Sequence, residues 1–143
     1  MRTWAGRIAL CVLLAGVVVV QGCASGPKFE PVVEIPADKG LVYLYRSSSG
    51  IGCGVVPPLK ANGQTICSLH VSGYYPYFAS PGEVEFEAAT EAKSAVTVDV
   101  KAQETYFVKQ TINIGFFIGR PHLMVVPNET GLSEIKGCRK EEP

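Results

Sequence analysis

From residue 40 onward the sequence predicts an all-β fold, an antiparallel β-sandwich of seven or eight short strands. Three observations carry this. Apolar and polar residues alternate with a period of two, as half-buried strands require, and not with the 3.6 of a helix. Turn-forming pairs punctuate these runs at Asn62-Gly63, Ser72-Gly73 and Pro81-Gly82. No window beyond residue 23 gives a convincing amphipathic helix.

The first strand is Leu41-Val42-Tyr43-Leu44-Tyr45, a run of β-formers ended by Arg46. A small, polar, Gly-rich loop covers residues 47–54. Residues 55–61 and 64–71 flank Asn62-Gly63, which tolerates the positive φ angles of a two-residue hairpin. Pro57 and Pro58 lack the N–H of a ladder, which pushes the first of these strands towards a sheet edge. Ser72-Gly73 leads into residues 74–79, and Pro81-Gly82 turns the chain again.

The next strand has the cleanest pattern. Glu83, Glu85 and Glu87 alternate with Val84, Phe86 and Ala88, giving one wet face and one buried face. Val96, Val98 and Val100 alternate with Thr97, Asp99 and Lys101. Tyr106, Val108, Gln110 and Ile112 alternate with Thr105, Phe107, Lys109 and Thr111. Residues 123–126 form a last short apolar run, ended by Pro127. Residues 133–137 suit a short strand or a single helical turn, and the charged tail beyond is expected to fray.

Upstream of the strands, Arg2 and Arg7 precede an uncharged run over residues 8–20. Thirteen residues suit a secretory leader and fall short of a membrane span. Val20, Gln21, Gly22 and Cys23 follow. This segment resembles the lipobox of bacterial lipoproteins. Val20 is the aliphatic residue, Gly22 the small residue where the peptidase closes on the scissile bond, and Cys23 the thiol that carries diacylglycerol. The resemblance implies cleavage between Gly22 and Cys23 and attachment to the lipid bilayer through Cys23. Two or three acyl chains there would hold far more firmly than one. Ala24 stands where an aspartate tends to retain lipoproteins in the inner membrane, so the outer membrane is favoured, with the domain facing the periplasm.

Residues 24–39 carry Pro27, Pro31 and Pro36 and read as an extended tether. The expected organisation is a leader over 1–22, a lipidated cysteine and tether over 23–39, a β-domain over 40–137 and a charged tail over 138–143.

Cleavage leaves 121 of the 143 residues, enough for one domain with a real core. It removes Arg2 and Arg7 from the 13 basic residues and none of the 13 acidic ones, so the mature chain carries a net charge of −2. No basic field attracts nucleic acid. Cys11 leaves with the leader, and Cys53, Cys67 and Cys138 remain beside Cys23. An oxidising compartment allows one disulfide among these three, in any of three pairings, each leaving an odd thiol; three separate thiols are the alternative. There is no C-x-x-C, and His70 and His122 lie far from any paired ligand, so neither a metal site nor a cofactor is expected.

The order of features is similar to a bacterial lipoprotein family known only as a domain of unknown function. The residues that carry the resemblance are the Leu41-to-Arg46 strand, the Asn62-Gly63 hairpin with Ile66 and Leu69 on its return, Gly73-Tyr74, Pro81-Gly82 and Thr105-Tyr106-Phe107-Val108. It covers residues 38 to 127. It implies a leader, a lipid-bearing cysteine and a small β-sandwich, and brings no reaction and no catalytic residues. Cys53, Cys67 and Pro57-Pro58 depart from the family's commoner pattern.

Several groups invite a functional reading. A Ser-His-Asp set would draw on His70 or His122 with Asp38 or Asp99, but no serine lies in a G-x-S-x-G elbow. Cys67 and His70 are three apart, which on a strand points them to opposite faces. Glu83, Glu85 and Glu87 suit a solvated sheet face better than a cation site. Tyr74, Tyr75, Tyr77 and Phe78 suit cross-strand packing better than stacking on a glycan. Phe116, Phe117 and Ile118 put apolar groups on both sides of an extended chain; they either cap the core or form a patch for a partner or membrane. Gly115 and Gly119 do not match a P-loop. Asn128-Glu129-Thr130 is a chance match to a glycosylation acceptor. The sequence thus points to a non-catalytic envelope module for protein or cell-wall contact, with a small hydrolase or a ligand or ion carrier as the alternatives.

Overall fold

The structure, a computed structural model, describes residues 23–48 and 51–143. The expected leader over 1–22, with the expected cleavage site at Gly22, lies outside the described residues. Alternating sequences fold here into two stacked sheets, because each strand has one face to bury. The strands are β1 (Gly40–Tyr45), β2 (Pro58–Ala61), β3 (Gln64–Ser68), β4 (Gly73–Ala79), β5 (Gly82–Ala89), β6 (Lys93–Val100), β7 (Thr105–Asn113), β8 (Arg120–Val126) and β9 (Arg139–Lys140). A helix, α1 (Asn128–Ile135), lies between β8 and β9. A five-stranded sheet in the order β8-β7-β1-β4-β9 packs on a four-stranded sheet in the order β3-β2-β5-β6. The chain is an all-β sandwich.

The sandwich is not wholly antiparallel. β1 pairs with β7 in parallel, from Leu41 opposite Thr105 to Tyr45 opposite Lys109. β4 pairs with β9 in parallel as well. A period of two fixes which face a residue takes and says nothing of the neighbour's direction.

The main core lies between the sheets and holds Val42, Leu44, Leu59, Leu69, Phe86, Val98, Val100 and Val108. A second core lies on the outer face of the five-stranded sheet, where Leu41, Tyr43, Tyr45, Tyr74 and Phe107 meet Ile135 and Cys138. β1 runs between the two, so all six of its residues are buried. That explains why its sequence is nearly all apolar or aromatic.

Four expectations are corrected. First, β2 is not an edge strand: it pairs with β3 and β5, and β3 is the edge. Only Pro58 enters β2, at its first residue, where a missing N–H is tolerated. Second, residues 128–135 form a helix. Its central Gly131 hides the pattern, yet that glycine is required, because a Cβ there would overlap the Phe107 ring.

Third, the tail does not fray. Arg139 N–H donates to Ser72 O at 2.7 Å, and Glu141 N–H to Tyr74 O at 2.8 Å. Fourth, residues 24–39 are not a free tether. Ala24 is buried and its N–H donates to Val71 O at 3.0 Å; Phe29 N–H donates to Cys138 O at 2.9 Å; Val32 N–H donates to the Tyr43 hydroxyl at 2.7 Å. Phe29 sits edge-on to both Tyr43 and Tyr74, with ring centroids 5.4 and 5.1 Å apart. Phe29, Val32 and Ile35 hold this strap on the second core, and a turn at Pro36, closed by Lys39 N–H to Pro36 O, leads it into β1.

Candidate functional site

The pairing register gathers one set of connections at one end of the sandwich. Tyr45, the last residue of β1, lies opposite Tyr74 at the start of β4 and Lys109 within β7. Pro58 lies opposite Ser68, and Leu59 opposite Ala88. The β1–β2 loop, residues 69–72, the β5–β6 turn and the β7–β8 loop therefore share this end. Cys23 joins them, bridged to Val71. Cys23 itself is exposed, although Ala24 beside it is buried.

Arg46 organises this end. Its guanidinium is buried and donates to three backbone carbonyls, Val55 and Gly52 at 2.7 Å and Leu69 at 3.3 Å. Burial lowers its pKa.

A cleft of about 470 Å³ opens between β3, residues 25–26 and the C-terminal residues. Ser25, Cys67, Ser68, His70 and Glu141 are among its lining residues. His70 Nδ1 lies 3.1 Å from Glu141 Oε1, and the same oxygen accepts the His70 backbone N–H at 2.9 Å. Glu141 escaped sequence reasoning, because it is 71 residues from its partner in a tail with no pattern of its own.

Cys67 and His70 border the same cleft, and the opposite-face argument fails because β3 ends at Ser68. The Cys67 side chain nevertheless belongs to the main core, and burial pushes its thiol up to about 12. It remains protonated at neutral pH and is no nucleophile. Among the described residues, neither Ser25 nor Ser68 is hydrogen-bonded to the His70 ring. A histidine held by a carboxylate is present, and among the described residues no serine or thiolate is hydrogen-bonded to its ring. His122 is exposed on β8, opposite Thr111.

No disulfide joins Cys67 or Cys138. Both are buried thiols. Cys67 lies in the core between the sheets and Cys138 on the outer face of the five-stranded sheet, so the sheet itself separates them. Burial raises Cys138 to about 11. Cys53 is exposed in the β1–β2 loop.

Three of the four aromatics on β4 pack inward, while Phe78 is exposed. Tyr74 is in the second core, Tyr75 and Tyr77 pack on the main core, and Tyr77 meets Phe86 edge-on at 5.8 Å. Glu83 and Glu85 are exposed on the outer face of β5, and Glu87 pairs with Lys93. Residues 114–119 do not cap the core. Ile114, Phe116, Phe117 and Ile118 are 81%, 79%, 89% and 44% exposed. No metal-binding group of three or more His, Cys, Asp or Glu occurs among the described residues.

No family model, no curated protein and no solved structure matches this chain.

Proposed function

We propose that this chain is a bacterial lipoprotein, cut before Cys23 and acylated there. Its β-sandwich serves as a non-catalytic binding or structural module of the cell envelope, with the outer membrane favoured and the domain facing the periplasm. The observation that carries the reading is the contrast between neighbouring residues. Ala24 is built into the fold through Val71, while the Cys23 side chain is left exposed at the point where the leader would be removed. The lipobox-like Val20-Gln21-Gly22-Cys23 and the resemblance to the lipoprotein family support it. The docked strap adds that the module sits close to the bilayer with little reach from it.

Intact-mass analysis of the cell-derived protein tests this. The expected species begins at Cys23 and carries a diacylglyceryl group with or without an amide-linked acyl chain. Cys23→Ser should abolish both the lipid and membrane fractionation. An uncleaved, unmodified N-terminus would overturn the reading.

One observation favours a second reading, a small envelope hydrolase: the His70–Glu141 pair in the cleft beside Ser25 and Ser68. Turnover of an ester or peptide by the mature protein, lost in His70→Ala with folding intact, would establish it.

A further inference from the structure

The exposed apolar loop between β7 and β8 shares the Cys23 end of the sandwich. β7 runs parallel to β1, and Tyr45 lies opposite Lys109. Asn113, the end of β7, is four residues further on, about 13 Å at strand rise. Ile114, Phe116, Phe117 and Ile118 follow it at that end and are exposed. Cys23 also lies beyond Tyr45, bridged to Val71 two residues before the start of β4. The segment at Cys23 runs on the β9 side of β4, where Lys28 bridges Arg139, and the 114–118 loop lies beyond β7 towards β8, so the two features share one end face and stand three to four strand spacings, roughly 15–20 Å, apart across it.

The loop is held in place. Glu91, on the β5–β6 turn, accepts the backbone N–H groups of Phe116 at 2.6 Å and Phe117 at 3.1 Å, and pairs with Arg120 Nε at 2.8 Å. Thr90 Oγ1 donates to Gly119 O at 2.8 Å. The Phe116 and Phe117 rings pack edge-on at 4.6 Å, so each supports the other's outward position. A carboxylate thus spends its acceptors on satisfying the backbone of a loop whose side chains remain bare. That is the arrangement expected where aromatic and aliphatic groups enter an interface and the backbone polar groups must be paired within the protein.

We infer that residues 114–118 insert into the lipid surface to which Cys23 is anchored, giving the module a second membrane contact that fixes its tilt. This rests on the lipoprotein reading. It leaves the opposite end, with the Asn62-Gly63 hairpin and the Pro81-Gly82 turn, facing away from the bilayer for other partners.

The single tryptophan of the chain is Trp4, in the leader, so the mature protein offers a blank background for a fluorescent reporter. Phe117→Trp and, at the far end, Gln64→Trp are each prepared as the mature acylated chain in phosphatidylethanolamine–phosphatidylglycerol vesicles, with or without bromine on the acyl chains. The expected result is that Phe117→Trp emits to the blue and loses most of its emission in brominated vesicles, while Gln64→Trp stays red and unquenched. Equal, weak quenching of both in vesicle-bound, lipid-bearing protein would overturn the inference and leave the anchor intact. A blue, unquenched Phe117→Trp would place the loop against protein, such as a second copy, and overturn it too. A mass spectrum without lipid on Cys23 would remove the anchor reading and this inference together.

Discussion

The Tyr45 hydroxyl donates a 2.6 Å hydrogen bond to the Glu134 carboxylate across 89 residues of chain. Tyr45 ends the doubly buried central strand, and Glu134 lies in the last turn of α1. The other carboxylate contacts go to Lys109 Nζ at 2.9 Å. One hydroxyl and one ammonium on neighbouring strands thereby pin the helix over the second core.

Tyr45→Phe removes a hydrogen bond to a charged group at a partly buried site, so a loss of about 1.5–3 kcal/mol is expected in urea unfolding at pH 7. The Tyr45 hydrogen bond, then Lys109, hold the Glu134 carboxyl below the usual carboxylate range. A depressed folded-state pKa gives stability that is full above the unfolded value and is lost as pH falls through the folded one. The difference between wild type and Tyr45→Phe should therefore shrink in acid. A difference that grows at low pH would contradict this assignment.

Gly131→Ala should destabilise the protein despite raising helix propensity. The added methyl overlaps Phe107, and overpacking a filled site costs about 1–3 kcal/mol, against a propensity gain of about 1 kcal/mol. Thermal unfolding decides the sign. A rise in Tm would show that α1 does not lie on Phe107 as described.

Gln110 is fully buried, and among the described residues neither its amide nitrogen nor its oxygen has a hydrogen-bond partner. Gln110→Leu removes that burial penalty and is expected to stabilise by about 1–2 kcal/mol in chemical denaturation. A loss of stability would mean that the amide is satisfied in solution.

Glu91 is held down to about 2, by the Phe117 and Phe116 backbone N–H groups first and Arg120 next. Its carboxylate should stay ionised, and the loop pinned, through mild acid. Hydrogen exchange at the Phe116 and Phe117 amides reads this directly. Both should be protected at pH 7 and at pH 4, and Glu91→Gln should speed their exchange several-fold while the strands stay protected. Unprotected amides in the wild type would remove the pinning.

Alkylation separates the cysteines. With Cys67 pushed up to about 12 and Cys138 to about 11, and both side chains buried, neither should react at pH 8 in the folded protein. Denaturant without reductant should add two alkyl groups, counted by mass. No added groups without reductant, but two with it, would point to a disulfide.

The sequence by itself determined the class of fold, because a side-chain period of two in β5, β6 and β7 leaves one face to bury whatever the neighbours are. It determined the hairpin as well. Asn62 and Gly63 adopt φ of 48° and 82°, and few other pairs reach those angles without strain. Tertiary structure alone decided what depends on contacts between distant segments. The parallel pairing of β1 with β7 is a choice of neighbour. The helix at 128–135 exists because Gly131 fits Phe107, although that glycine weakens any local helical signal. The strap at 24–39 and the tail at 138–141 hold each other through the Phe29–Cys138 and Lys140–Pro27 backbone bonds, and neither has a pattern of its own. The meeting of His70 with Glu141, and the placing of Cys23 and the apolar 114–118 loop at one end, follow from that same topology, since spacing along a chain says nothing of which ends of a sandwich its loops will share.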